Sequence, residues 1–184
     1  MATHGGFGQH IHFGLFATEG ITLAKGSVNE LNFNSARQWI IVGGPAVSIP
    51  LLHEGTAVFA ITAQRDLDIT VTIDAPTIVE LDANNSIPIS IRFAYSNLGA
   101  VDEATAKSQA VEVPAGFTAA TFPILRRAAG PPGPPPTPPH AGYQAPMGTA
   151  YLFVYGTLGN INLPSNIRSG LYGGTINIHI TYAN

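Results

Sequence analysis

The chain contains no cysteine, and few of its residues carry a charge. The lack of cysteine excludes disulfide bonds, thiolate metal sites and cysteine nucleophiles. Charged residues make up 10% of the 184 positions, well below the roughly one quarter that is typical of soluble domains. A formal net charge of -3 leaves no basic stripe for nucleic acid. The surface is therefore expected to consist largely of Thr, Ser, Asn and Gly, or to be covered by neighbouring subunits.

Long apolar runs and catalytic motifs are also missing. The longest apolar run, WIIVGGPAVSIPLL at residues 39–52, is too short to span a bilayer and is interrupted by Gly and Pro. No signal peptide is visible, since no basic residue precedes Lys25 and no continuous apolar segment is present; an export leader would lie outside this numbering. No G-x-S-x-G, P-loop or H-E-x-x-H motif occurs. We expect a protein that is not an enzyme and uses no cofactor.

His10 and His12 are the two residues that could begin a metal site. On a strand their side chains project to the same face, but zinc needs a third ligand and usually a fourth. Other histidines, His179 among them, are available, yet nothing in the sequence ties them to this pair. The alternative, which we favour, is that both are polar residues on the outer face of a strand.

Short period-2 runs of Thr, Ile and Val, separated by Gly, Pro, Asn and Asp, dominate the chain. They occupy residues 57–62, 67–73, 86–95, 116–125, 149–158 and 173–184. Only residues 101–110, VDEATAKSQA, have the pattern of a short helix. Many short strands at this spacing predict an all-β antiparallel sandwich or barrel. The last run places four apolar side chains on one face: Ile176, Ile178, Ile180 and Tyr182.

A proline-rich segment, AAGPPGPPPTPPHAG at residues 128–142, interrupts the strand pattern. Proline cannot donate to a strand ladder, so polyproline II is the predicted conformation. The segment is either an exposed stiff arm that docks on a neighbour or partner, or a stiff surface loop between two strands. The predicted organisation is an N-terminal arm at residues 1–19 and one domain at residues 20–184 that contains this insertion.

Three motifs carry a family resemblance: ELNF at 30–33, AVFAITA at 57–63 and GLYGGTINIHITY at 170–182. Together they resemble a prokaryotic secreted family that is catalogued as a domain of unknown function. Its members are similar to pilins and end in a G-x-Y-x-G strand, which Gly170, Tyr172 and Gly173 or Gly174 match here.

The resemblance covers residues from about Ile21 to Asn184 and has two departures. Asn34 and Ala63 stand where the family has glycine; Asn34 is tolerable because Asn visits left-handed conformations. The resemblance implies an immunoglobulin-like antiparallel β-sandwich and a surface or fibre protein, with no catalytic residues to carry over.

The N-terminal arm precedes the part of the chain that resembles this family. Ile11, Phe13 and Leu15 share one face, with Phe7 further along it. Burying three such side chains stabilises a fold by roughly 5–9 kcal/mol before entropy, and a lone strand would expose its backbone groups. The arm must therefore add to a sheet.

Two sheets are available to the arm. It could fold back and pair with residues 21–24 through the short turn TEG, which suits a monomeric or tip adhesin, a binding module. Alternatively, it inserts into the next subunit as a donor strand; head-to-tail insertion does not close, so it builds a filament. We favour the second: a pilin-like subunit of an extracellular, cell-surface homopolymer. The predicted subunit contacts are Phe7, Ile11, Phe13, Leu15, Ile176, Ile178, Ile180 and Tyr182.

Overall fold

The computed structural model describes residues 8–36, 43–126 and 144–183. Phe7 and the proline-rich segment 128–142 lie outside this described part. The strands, in chain order, are β1 (Gly8–Ala17), β2 (Thr22–Lys25), β3 (Pro45–Ile49), β4 (Ala57–Gln64), β5 (Asp68–Asp74), β6 (Ile78–Asp82), β7 (Asn85–Ser96), β8 (Val111–Glu112), β9 (Ala119–Pro123), β10 (Met147–Asn162) and β11 (Leu171–Tyr182). The described residues also form two short helices, α1 (Phe33–Ala36) and α2 (Glu103–Ser108).

β5 shows why the period-2 runs form strands. Ile69, Val71 and Ile73 are buried, whereas the alternating Thr70 and Thr72 are partly exposed. β-branched side chains on both faces suit a pleated surface with one side towards a core. β11 behaves in the same way, and the predicted division of its faces is confirmed: Ile176, Ile178 and Ile180 are buried and Tyr182 is partly buried.

The strands form two sheets that share β7. The first sheet contains β1, β11, β5, β9, β6 and the start of β7. The second contains β2, β4, β10, β3, β8 and the rest of β7. Among the described strands every pairing is antiparallel except that of β1 with β11.

The inner faces of the two sheets pack against each other. Phe13 of β1 meets Phe59 of β4 edge-on, with ring centroids 4.9 Å apart. Tyr95 of β7 stacks on Phe122 of β9, with centroids 3.9 Å apart. Each pair joins one sheet to the other, so the core lies between them. The predicted all-β, sandwich-like fold is confirmed.

The helix predicted within residues 101–110 is also confirmed. Asp102 caps α2, since its Oδ1 accepts a hydrogen bond from the backbone N–H of Thr105 at 2.7 Å. Ala106 is fully buried where α2 packs against β7 and β10 of the second sheet. No helix among the described residues combines the length and the apolar character of a membrane span.

The two residues that depart from the family resemblance, Asn34 and Ala63, both lie in regular secondary structure. Asn34 lies in the first turn of α1, where its N–H donates to Oδ1 of Asn32 at 3.0 Å. No described non-glycine residue has a positive φ, so Asn34 is accommodated without a left-handed conformation. Ala63 is buried inside β4 opposite Gly148, and no turn geometry depends on it.

Candidate functional site

β1, the strand of the N-terminal arm, runs parallel to β11 along one edge. The register extends from Gly8 opposite Leu171 to Ala17 opposite Ile180. β5 and β6 also pair with β11, and because a strand has two edges they share the opposite one. Without β1, the ten-residue stretch of β11 from Leu171 to Ile180 would be an open edge with unpaired backbone groups.

The apolar face of β1 points into the core, as its pattern predicted. Ile11 is 2% exposed, and Phe13 and Leu15 are partly buried against the core. They join the buried Ile176 and Ile178 of the adjacent strand. The arm therefore completes both a sheet edge and the core, and some chain has to supply it.

The alternative in which the arm pairs with residues 21–24 is wrong. β2 pairs with β4 in the second sheet, from Thr22 opposite Thr62 to Lys25 opposite Phe59, whereas β1 lies in the first sheet. Both strands direct apolar side chains to the same core from opposite sides. The turn between them therefore crosses from one sheet to the other instead of joining two neighbours.

Four residues, Thr18–Ile21, connect the arm to the rest of the domain, and we call them the hinge turn. The N–H of Ile21 donates to the carbonyl of Thr18 at 3.1 Å, and Gly20 has a φ of 84°, which favours glycine at this position of a turn. Tyr182 Oη donates to the carbonyl of Gly20 at 3.0 Å. The N–H and hydroxyl of Thr18 both donate to the carbonyl of Ile180, at 3.0 and 3.1 Å. The end of β11 thus holds the hinge turn in place.

One residue of the arm is poorly satisfied in its position. Gln9 is 5% exposed, and no described residue makes a hydrogen bond with its side-chain nitrogen or oxygen. An unpaired buried amide costs about 1–3 kcal/mol. Apolar burial and backbone pairing therefore hold the arm in place, and the unpaired amide of Gln9 reduces the stability of this arrangement.

The histidine of the arm whose side chain the structure describes lies on the outer face. His12 is exposed opposite Thr175, and the side chain of His10 is outside the described part. His179 lies opposite Phe16, four residues further along, or roughly 13 Å at the rise of a strand. Its ring stacks on that of Phe16, with centroids 4.8 Å apart. Among the described residues no group of three or more His, Cys, Asp or Glu side chains could hold a metal ion.

A polar cluster that the sequence did not predict lies on the second sheet. Arg92 of β7 and Tyr155 of β10 are opposite each other, and Glu112 of β8 reaches both. Arg92 Nη2 lies 2.9 Å from Glu112 Oε2, and Tyr155 Oη donates to the same oxygen at 2.7 Å. Burial raises the pKa of the Tyr155 hydroxyl, and the hydrogen bond to Glu112 raises it further. Tyr155 therefore remains a hydrogen-bond donor at physiological pH.

Comparison with known proteins finds neither a family model that matches the chain nor a similar curated protein. The resemblance to a pilin-like secreted family therefore stays a prediction.

Proposed function

We propose that the protein is a structural, pilin-like subunit of an extracellular filament, in which β1 of one subunit occupies the edge of β11 in the next. The position of β1 carries this proposal. It is an N-terminal strand, attached through the hinge turn, that completes an otherwise open sheet edge and the core. Addition of a strand to a sheet edge is a recurrent mode of protein association.

Exchange of the arm between subunits preserves its contacts. Ile11, Phe13 and Leu15 would meet the same core residues in a neighbour as in their own chain, so their burial is neither gained nor lost. The difference between the two arrangements is confined to the hinge turn and to the entropy of association. The balance is therefore sensitive to small changes at Thr18–Ile21.

The composition of the surface favours contact between subunits. Large apolar side chains are exposed at Val101 (89%), Ile161 (87%), Leu52 (73%) and Phe117 (66%). With 10% charged residues, little charge repulsion opposes their approach. Head-to-tail exchange does not close, so it extends into a fibre. The extracellular location in this proposal follows from the family resemblance.

A cysteine pair tests whose β11 the arm occupies. The chain has no cysteine of its own, and His12 and Thr175 are exposed and opposite each other in β1 and β11. Adjacent strand positions lie within the Cα separation that a disulfide bridges. On non-reducing gels, the oxidised variant His12→Cys/Thr175→Cys should give a ladder of covalent multimers.

A matched pair controls for disulfides within one chain. Thr70 and Thr121 are opposite each other in β5 and β9, with hydroxyl oxygens 2.8 Å apart, and neither belongs to the arm. The variant Thr70→Cys/Thr121→Cys should therefore give only a covalently closed monomer.

Electron microscopy should show filaments of the full chain and none of a chain that lacks residues 1–19.

A covalent monomer from His12→Cys/Thr175→Cys, without filaments, would contradict the proposal. It would favour the alternative, a monomeric or tip binding module whose arm remains on its own sheet. One observation supports that alternative: within the single chain, β1 occupies its own β11. A covalent dimer with nothing larger would show reciprocal exchange and would also exclude a filament built this way.

A further inference from the structure

A cleft of about 200 Å³ lies on the outer face of the second sheet, which β1 does not join. We call it the outer cleft. It is lined by Ser48, Ser90, Arg92, Glu112, Tyr155 and Thr157, with Ile49, Pro50, Leu51 and Gly156 completing its boundary. Its volume is below the roughly 300–1,000 Å³ of clefts for drug-sized ligands. It therefore suits a small ligand, on the scale of a single sugar ring.

The outer cleft holds a hydrogen-bond donor and an acceptor side by side. The ion pair uses Arg92 Nη2 and Glu112 Oε2, and the Tyr155 hydroxyl reaches that same oxygen. Among the described residues these bonds involve neither Arg92 Nη1 nor Glu112 Oε1, and the two side chains are 41% and 48% exposed. A guanidinium donates and a carboxylate accepts, so together they match two neighbouring hydroxyl groups.

Arg92 is more enclosed than the arginine of the ion pair between Arg168 and Asp82. Arg92 Nε is shielded from solvent and has no hydrogen-bond partner among the described residues, and Tyr155 is 4% exposed although it faces outward. By contrast, Arg168 and Asp82 lie 3.9 Å apart with side chains 73% and 43% exposed.

The remaining lining favours an uncharged polar ligand. The hydroxyl oxygens of Ser48 and Thr157 lie 3.0 Å apart, and Pro50 and Leu51 supply an apolar wall for the C–H face of a ring. The charges of Arg92 and Glu112 oppose each other, so the cleft does not select an ion. We propose that the outer cleft binds the terminal residue of a neutral glycan, a pyranose whose neighbouring hydroxyls pair with Arg92 and Glu112. This proposal does not depend on exchange of the arm.

Saturation-transfer NMR, which observes the ligand whatever the assembly state of the protein, tests the proposal. The probes are the methyl glycosides of α-D-glucopyranose, α-D-mannopyranose and β-D-galactopyranose, with the glucuronide as the charged comparison. We expect saturable transfer to at least one neutral glycoside at roughly millimolar concentration, in keeping with a few hydrogen bonds. Arg92→Lys loses the planar fork and Glu112→Gln loses the charge, so each should weaken binding by about fivefold or more.

Arg168→Lys is the matched control, because it makes the same change in the exposed ion pair, and it should bind as the unaltered chain does. Thermal unfolding of each variant verifies that the fold is retained. Absence of transfer to all three neutral glycosides, or equal binding by both cleft variants and the unaltered chain, would overturn the proposal. A preference for the glucuronide would exclude a neutral ligand.

Discussion

At Gly14 the arm leaves little room for a side chain beside β11. It lies opposite Asn177, and a Cβ at this position would overlap Oδ1 of Asn177 and come 3.0 Å from the ring of Phe16. We predict that Gly14→Ala stabilises the protein by less than the roughly 0.5–1 kcal/mol by which Ala in a strand usually exceeds Gly, because the Asn177 side chain has to turn away. In an Asn177→Ala background the contact with the Phe16 ring remains but the contact with Asn177 is absent, so the same substitution should stabilise the protein by more than it does in the unaltered chain.

Chemical denaturation of the four chains in this cycle gives the measurement, because the coupling between positions 14 and 177 is the difference between the two effects of Gly14→Ala. Equal effects of Gly14→Ala in the two backgrounds would show that Asn177 does not restrict position 14.

Gln9 provides a second prediction at the scale of single residues. Its buried amide has no hydrogen-bond partner among the described residues, so Gln9→Met removes the unpaired group while keeping a side chain of similar length. We expect the free energy of unfolding to rise by about 1 kcal/mol. Gln144→Met is the control at an exposed glutamine and should change stability by less than about 0.5 kcal/mol. A decrease in stability for Gln9→Met would mean that the amide is satisfied in solution.

At the scale of elements, β1 shows that a strand pattern determines which face is buried but does not determine which strand is the partner. Alternation predicted that Ile11, Phe13 and Leu15 face a core, and they do. The partner of β1 was not predictable, because every open edge offers the same backbone donors and acceptors to any strand. Residues 21–24 were the nearest candidate along the chain, but β11 lies more than a hundred residues away in sequence.

The outer cleft could not be predicted from the sequence, for a related reason. Arg92, Glu112 and Tyr155 belong to three strands, and β8 has two residues, too few for a periodic pattern. One signal was present, since Arg92 is the single charged residue in the run SIPISIRFAY. That signal marks Arg92 as unusual within its strand, but the side chains that approach it depend on how β8 and β10 pair with β7.

The hinge turn yields a prediction about the exchange of an element. Gly20→Ala places a Cβ at a φ of 84°, which costs about 1–2 kcal/mol, and brings that Cβ to 3.4 Å from Tyr182 Oη. An extended hinge relieves this strain, whereas the closed turn does not. In the His12→Cys/Thr175→Cys background, Gly20→Ala should therefore increase the share of covalent multimers relative to any covalently closed monomer.

Gly116→Ala is the matched control for this strain. Gly116 has a φ of 89° and no atom within 4 Å of its would-be Cβ, so the substitution costs similar backbone strain away from the hinge turn. An equal increase in multimers from both variants would show that general destabilisation, not opening of Thr18–Ile21, drives exchange.

At the scale of the whole molecule, the proposed assembly uses apolar burial and backbone pairing with little charge. The inner side chains of the arm at positions 11, 13 and 15 are apolar, as are those of β11 at 176, 178 and 180. The ion pair between Arg92 and Glu112 lies on the second sheet, apart from the pairing of β1 with β11. The surface that receives the arm is therefore apolar, and it lies beside a ladder of backbone hydrogen bonds.

Assembly through such a surface should be nearly independent of salt. Raising NaCl from roughly 0.1 M to 1 M shortens the Debye length from about 10 Å to about 3 Å, which weakens contacts between exposed charges but not apolar burial or backbone hydrogen bonds. We expect the yield of multimers from His12→Cys/Thr175→Cys to change by less than about twofold over this range. Non-reducing gels of samples oxidised at each salt concentration give the measurement, with Thr70→Cys/Thr121→Cys reporting any effect of salt on oxidation itself. A steep loss of multimers at high salt, with the control unchanged, would show that charged surfaces join the subunits and that insertion of the arm is not the main contact.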